Sequence, residues 1–527
     1  MSDTKNLPAS VRRYAKYLLI MAGLGGLIYG IDVGVIAAAL PYVRNTSNYS
    51  AGQLGLIVGA VLWGSVISSL FAGSLSEWLG RKKIIIASAF CFFISIPVIC
   101  LSGLFDGGNF ALLTLGRTLQ GASAGLVGVV VPMYLAECLD SDSRGKGTGM
   151  FQLLLTIGLA FAAVIGLVVT GWVGDSDKIL KPFIDKAAAD AVAAGTIATV
   201  DKFEVTFAMI KSWVTPEQIK GWAIAWQTIF LCSAIPGLIL FIGAFFLKES
   251  PRWLYKKGRK DEALASLAAN NGEEKAKEIL EEMIAADKAA EAEKAAIAKA
   301  SVGDTLFQRK YIYPFLLAVV ILGCNQATGI NSVLNYTVDI FKATGMEGVL
   351  ANFSDLAIKL VNVFMTIVAC ALVDKKGRKF LLKLGTGGII LGLCGVATTF
   401  LLITKGVVAA SMTTGVIATA FFFMFIAFYA VGPGVCVWLA LSELMPTRIR
   451  ATGMSIAMII NQGVSATIAT VFPAWKDAWG FPAVFYCLAG FTVIYFVTAA
   501  FFLPETKGRT LEEIEQYFKS GKMPDKK

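Results

Sequence analysis

The sequence predicts an all-α membrane protein of twelve transmembrane helices, arranged as two six-helix halves with cytoplasmic helices between them. Three observations carry this expectation. Of 527 residues, 56% are hydrophobic and only 16% charged, with a mean hydropathy of +0.68, whereas an ordinary soluble domain is about one-quarter charged. Uninterrupted apolar stretches long enough to cross a bilayer recur along the whole chain, as in Ile84 to Phe105, "IIIASAFCFFISIPVICLSGLF". Charged motifs of the first part reappear, in order, in the second.

The opening "MSDTKNLPASVRRYAKY" is polar, so a cleavable signal peptide is not expected. The first apolar stretch, near 17–40, continues as a span although it carries Asp32. Spans near 53–75 and 84–105 flank the basic turn "GRKK", a fourth near 109–135 carries Arg117, and a fifth lies near 148–172. Residues 173–221 fall outside the membrane and are partly helical ("DKAAADAVAA"); the sixth span follows near 222–247. Residues 255–305, rich in Ala, Glu and Lys at helical spacing, form short cytoplasmic helices. They divide the chain into a first half, 1–254, the linker itself, and a second half with a short tail, 306–527. The remaining spans lie near 312–340, 349–373, 380–404, 413–441, 450–473 and 481–503.

Alternate loops are basic: Arg81-Lys82-Lys83, Arg144 with Lys146, Lys375 through Lys383, and Arg448 with Arg450. The opposite loops offer little beyond Arg44 and Lys405. Positive charge retained inside then places both termini and the basic loops in the cytoplasm, and the expected location is the inner (plasma) membrane. That distribution also explains the net charge of +10 without nucleic acid. The nine cysteines lie in or beside apolar stretches with no CxxC pair, and read as small apolar residues. There is no histidine, which removes His-based catalysis, ligation and proton relays. No catalytic dyad, metal motif or phosphate loop supports an enzyme, and no cofactor is expected.

The internal echo has three parts. "GSLSEWLGRKK" after span 2 matches "ALVDKKGRK" after span 8, each with an acid four residues before an Arg (Glu77/Arg81, Asp374/Arg378). "AECLDSDSRG" after span 4 matches "SELMPTRIRA" after span 10, with Glu137/Arg144 and Glu443/Arg450 seven apart. "KESPRWL" ends span 6 and "PETKGRT" ends span 12. Such duplication puts a transported substrate between the halves near the midplane. It also fits a set of cytoplasmic salt bridges between the halves, formed when the protein opens outward; the simpler reading of the basic residues is topology alone. Span 7 meanwhile spends amides in an apolar run, "NQATGINSVLNY", where an unpartnered amide costs several kcal/mol, roughly, and so needs a neighbour or a ligand.

"GRKK", "PMYLAE", "ESPRWL", "TGINSVL", "DKKGRK", "GPG…W…SE" and "PETKGRT" together resemble the sugar-porter family of the major facilitator superfamily, across essentially all spans. The resemblance implies transport of a monosaccharide or related polyol, coupled to protons in some members and passive in others. It implies that Asn325, Gln326 and Asn331 of span 7 bind sugar hydroxyls, with Gln152, Asn362, Trp438 and Asn461 completing the site. An amide offers donor and acceptor at fixed separation and so grips a vicinal diol without charge, and Trp438 suits a sugar's C–H face. Asn325 is shorter than the family's usual Gln, Asn335 stands where an aromatic is common, and Gln462 follows Asn461 where some members have Trp.

Asp32 is an ionisable group inside span 1, and such groups mark ion pathways. The resemblance implies proton coupling through Asp32 facing Arg117 of span 4; the bland alternative is a permanent ion pair between them. The expected function is therefore proton-coupled symport of a hexose or pentose by a monomer in the lipid bilayer. The alternatives are a passive facilitator, which Asp32 argues against, and a sugar sensor, which would need a longer cytoplasmic tail.

Overall fold

The computed structural model describes residues 8–138, 141–194, 196, 203, 205–285, 308–346, 348–436, 444–445, 449–505 and 516–518; the side chains of 136, 141–149, 370, 373–375 and 450–452 fall outside that description. Its helices are α1 (Ala9–Asn45), α2 (Ala51–Leu79), α3 (Arg81–Ser102), α4 (Phe110–Cys138), α5 (Ser141–Val173), α6 (Ser176–Ala193), α7 (Phe207–Trp213), α8 (Pro216–Ala244), α9 (Pro251–Lys256) and α10 (Lys260–Asn271). After them come α11 (273–285), α12 (Arg309–Ala327), α13 (Ile330–Ala343), α14 (Gly348–Lys376), α15 (Arg378–Thr404), α16 (Met412–Val431) and α17 (Arg450–Val497). Eleven stretches among the described residues are long and apolar enough to cross a membrane. The last contains two crossings, because α17 turns at Gly480, where φ is 76°. Twelve crossings result, as expected, with α6 and α7 forming the insert and α9 to α11 the linker helices.

Helix starts on the insert side are fixed locally. Ser50 with Gln53 and Ser411 with Thr414 form capping boxes on α2 and α16, and Thr215 with Gln218 does so on α8, which opens on Pro216. Each hydroxyl satisfies a backbone donor that lipid or loop would leave bare. Bilayer lipid gives helices no hydrophobic reason to associate, so small residues bring backbones together. On α1 a Cβ at Gly30 would sit 1.9 Å from the Leu155 carbonyl of α5.

The halves pack at the insert end. Gly55 and Gly59 of α2 lie against Thr470 of α17, and Trp63 Nε1 donates to Thr470 Oγ1 at 3.2 Å. Asn352 of α14 donates to Thr170 of α5 at 3.3 Å. The largest core cluster joins side chains of α1, α5, α8, α13, α14, α15 and α17 across this seam.

Candidate functional site

Span 7 is two helices. α12 ends at Ala327, the chain turns through Gly329 with φ of 79°, and α13 begins at Ile330. A side chain at Gly329 would be strained by that φ, and its Cβ would meet Leu488 at 2.6 Å. The break frees backbone groups from the helical ladder, the arrangement that builds ligand sites inside membrane bundles.

Four expected amides converge beside the break. Gln326 accepts from Asn331 Nδ2 at 3.0 Å and donates to Asn461 Oδ1 at 3.4 Å and Asn325 Oδ1 at 3.4 Å. Asn331 also donates to Ser465 Oγ at 2.7 Å. Asn461 donates to the Leu322 carbonyl at 2.9 Å, which ties α17 to α12. Asn325 donates to the Pro433 carbonyl at 3.4 Å and accepts from Tyr429 at 3.1 Å. The result is a buried polar patch in which each amide is oriented by another, on three separate elements. Asn362, buried on α14, and Gln152, half-buried on α5, stand outside this network. Trp438 lies outside the described residues. Tyr429 and Ser465 were not among the expected residues; a polar group inside an apolar span, facing span 7, is the signal they carried.

Asp32 is fully buried on α1, and neither carboxylate oxygen has a hydrogen-bond partner among the described residues. Arg117, equally buried, does not form the permanent ion pair that was the alternative. Its guanidinium donates to Gln120 Oε1 at 2.8 Å and to the backbone carbonyl of Asp32 at 3.4 Å, and lies over the Phe230 ring at 5.6 Å. The cation is thus near the acid but turned from its carboxylate.

At the end that carries the termini, Arg81 grips Glu137 through two parallel bonds, Nε to Oε2 at 2.9 Å and Nη2 to Oε1 at 2.8 Å. Ser250 donates to the same carboxylate. Trp253 Nε1 donates to the Glu77 carbonyl at 2.8 Å. All of these lie within the first half, and in this form Arg81 and Glu137 pair with each other. Glu249 accepts from the backbone N–H groups of Arg81 and Lys82 at 2.9 and 3.1 Å, and Glu505 accepts from that of Arg378 at 3.2 Å. The acid of "ESPRWL" and the acid of "PETKGRT" therefore do one job in the two halves: each neutralises the bare N-terminus of the helix that follows a Gly-Arg-Lys turn. Glu443 lies outside the described residues, as do the side chains of Arg144, Asp374 and Arg450.

Two further ionisable groups are buried inside a span. Lys359 of α14 donates to Asp355 at 2.7 Å and approaches the Gly34 carbonyl of α1 at 3.5 Å. An acid and a lysine four apart in an apolar stretch, "SDLAIKL", is the sequence signal that marks them.

Comparison with known proteins agrees with this architecture. The family described as "Sugar (and other) transporter" matches residues 18–180 and 183–518. The glucose transporter GlcP of Staphylococcus epidermidis is 29% identical, covering 95% of this chain and 96% of its own. The arabinose-proton symporter of Bacillus subtilis is 26% identical, covering 97% of each. Among solved structures, the inward-open conformation of the xylose transporter XylE from E. coli superimposes with a TM-score of 0.71 at 23% identity, over 95% of this chain and 99% of that one. At that identity the likeness speaks for the fold. With the duplicated motifs, the broken seventh span and a family match over nearly the whole length, the chain belongs to the sugar (and other) transporter family.

Proposed function

We propose that the protein is a proton-coupled symporter that imports a monosaccharide by alternating access, from a membrane in which both termini face the cytoplasm. The observation that carries this reading is Asp32, a fully buried acid with no hydrogen-bonding partner among the described residues and with Arg117 bonded to its backbone carbonyl. A carboxylate so placed is costly when charged and acceptable when protonated, so taking up a proton is its means of staying inside the bundle. The sugar site is the amide patch of Asn325, Gln326, Asn331 and Asn461, and the family resemblance adds Gln152, Asn362 and Trp438 as further sugar contacts. Donors and acceptors fixed by one another are pre-organised for a polyhydroxylated ring and offer no net charge to an ionic substrate. The relatives named above, a glucose transporter and an arabinose-proton symporter, support a neutral sugar as the cargo. With the termini inside, packing of the halves at the insert end corresponds to an inward-facing form.

Uptake into proteoliposomes of labelled hexoses, pentoses and polyols, with and without an imposed proton gradient, tests the proposal. Accumulation of one sugar above its external concentration only when the gradient is present supports it. Equilibration without accumulation would identify a passive facilitator, and no sugar flux at all would leave a sensor.

A further inference from the structure

The insert between the fifth and sixth spans takes no part in the sugar or proton chemistry, yet its first residues sit at the seam between the halves. Asp175 caps α6, accepting from the Asp177 N–H at 3.2 Å. The same carboxylate accepts from Lys342 Nζ at 2.6 Å, and Lys342 donates also to Asp177 Oδ2 at 2.8 Å. Lys342 is in the last turn of α13, in the second half. Arg44, in the last turn of α1, donates to Asp339 of α13 at 2.9 Å and to Asp177 at 3.4 Å. Two cations and three acids from α1, the insert and α13 thus alternate in one network, with Asp175 and Lys342 largely shielded from solvent.

Apart from the bonds to Lys342, the hydrogen bonds that hold the insert's first residues among the described residues come from α1 of the first half. Tyr42 of α1 donates to the Gly174 carbonyl at 2.8 Å, and Asn45 donates to Ser176 Oγ at 2.9 Å and Asp177 Oδ1 at 2.5 Å. α6 therefore moves with α1, while Lys342 moves with α13. When the halves part at this end, the bonds that must break are those from Lys342 to the insert and from Arg44 to Asp339. Exposed ion pairs contribute little, but the Lys342 bonds to the insert are short, doubled and, at Asp175, largely shielded from water, where charge-assisted hydrogen bonds are about twice as strong as neutral ones.

We infer that Asp175 and Asp177 are gating residues of the transport cycle, by which the insert holds the outer side of the pathway shut through Lys342. This rests on the alternating-access reading but on neither the sugar nor the proton. Opening outward requires Lys342 to leave both acids, and the network sets the balance between outward- and inward-facing forms.

The test is the double substitution Asp175→Asn with Asp177→Asn. Asn remains a good helix cap, so α6 keeps its start while the charges go. Leu40, buried against this seam, is replaced by Cys and labelled with a membrane-impermeant maleimide from outside, above the background of the chain without that Cys. Labelling is expected to rise about tenfold, the effect of losing charge-assisted hydrogen bonds across a two-state equilibrium. Lys342→Gln, which leaves the insert intact, is expected to act the same way, and Asp175→Glu to stay near the parent. Unchanged labelling in both the Asn pair and Lys342→Gln would overturn the inference. So would a rise in Asp175→Glu equal to that of the Asn pair, since the insert would then act through shape and not charge. Because labelling needs neither sugar nor gradient, failure of symport leaves this result readable.

Discussion

Lys359 and Asp355 face each other one turn apart on α14, 2.7 Å from ammonium to carboxylate, with both side chains out of solvent. Burying two charges costs more than their attraction returns unless the geometry is good, but removing one of them is far worse, because the other is stranded. Lys359→Met is therefore expected to destabilise the protein by about 3–5 kcal/mol, while Lys359→Met combined with Asp355→Leu restores most of the loss. Thermal melting in detergent measures both. A single variant as stable as the parent, or a double variant no better than the single, would refute the pairing.

Gln326 is the hub of the amide patch, bonded to Asn325, Asn331 and Asn461. If the patch is the sugar site, Gln326→Ala removes a partner from a sugar hydroxyl in a dry site and is expected to cost about 1–3 kcal/mol, or roughly ten- to a hundredfold in affinity. It also frees Asn331 to lean wholly on Ser465, so the loss is expected at the upper end. Calorimetric titration with the transported sugar reads this directly, and an unchanged affinity would place the site elsewhere.

The latch at the seam carries a pH signature through Asp177. Burial alone would push its carboxyl up, but Lys342 and Arg44 outweigh burial and, with a bond from Asn45, hold it at about 2. Asp175 and Asp339 are the other charges of the network. A carboxyl depressed on closing stabilises the closed form above its ordinary value of about 3.9, and that contribution is lost as pH falls through about 2. Spin labels at Ser212→Cys in the insert and Lys405→Cys in the second half report the separation. In detergent the distance is expected to lengthen as pH falls from about 4 to 2, and to do so less in Asp177→Asn. Equal acid responses in the two proteins would show that Asp177 is not the titrating group.

Much of the fold was legible because the bilayer permits so few solutions. Apolar stretches of spanning length, basic turns and repeated motifs gave twelve crossings and their order, and even the turn at Gly480 fell between two expected spans. The amide cluster was legible as a group, since six polar residues in an apolar run have few explanations. Its partners were not: Tyr429 and Ser465 are single polar residues on other helices, and only packing brings them to Asn325 and Asn331. Sequence spacing put Arg81 beside Glu77 in one turn, but did not show that Arg81 pairs with Glu137 at the end of α4. Spacing along the chain records which residues share a turn, not which turn they face. The insert was opaque for the same reason, because Asp175 and Asp177 acquire a role only when Lys342, far along the chain, is placed beside them.

On the proposed reading, coupling runs through Asp32. Arg117 spends its bonds on Gln120 and on the Asp32 backbone, which leaves the carboxylate without a donor in this form. Charged, it would stand uncompensated in a dry bundle; protonated, it is at rest there. If coupling runs through Asp32, reopening outward lets Arg117 or water reach the carboxylate, and proton exchange and the movement of the halves become one equilibrium, linked in both directions. Asp32→Asn reproduces the protonated acid permanently. It is expected to retain sugar binding and the exchange of labelled for unlabelled sugar, which need only the closed and open forms. Accumulation against a gradient should vanish, because no proton is taken up or released in the cycle. Uptake and counterflow in the same proteoliposomes separate the two. If Asp32→Asn still concentrates sugar when a proton gradient is the sole energy source, coupling runs through another group and Asp32 is a structural residue of α1.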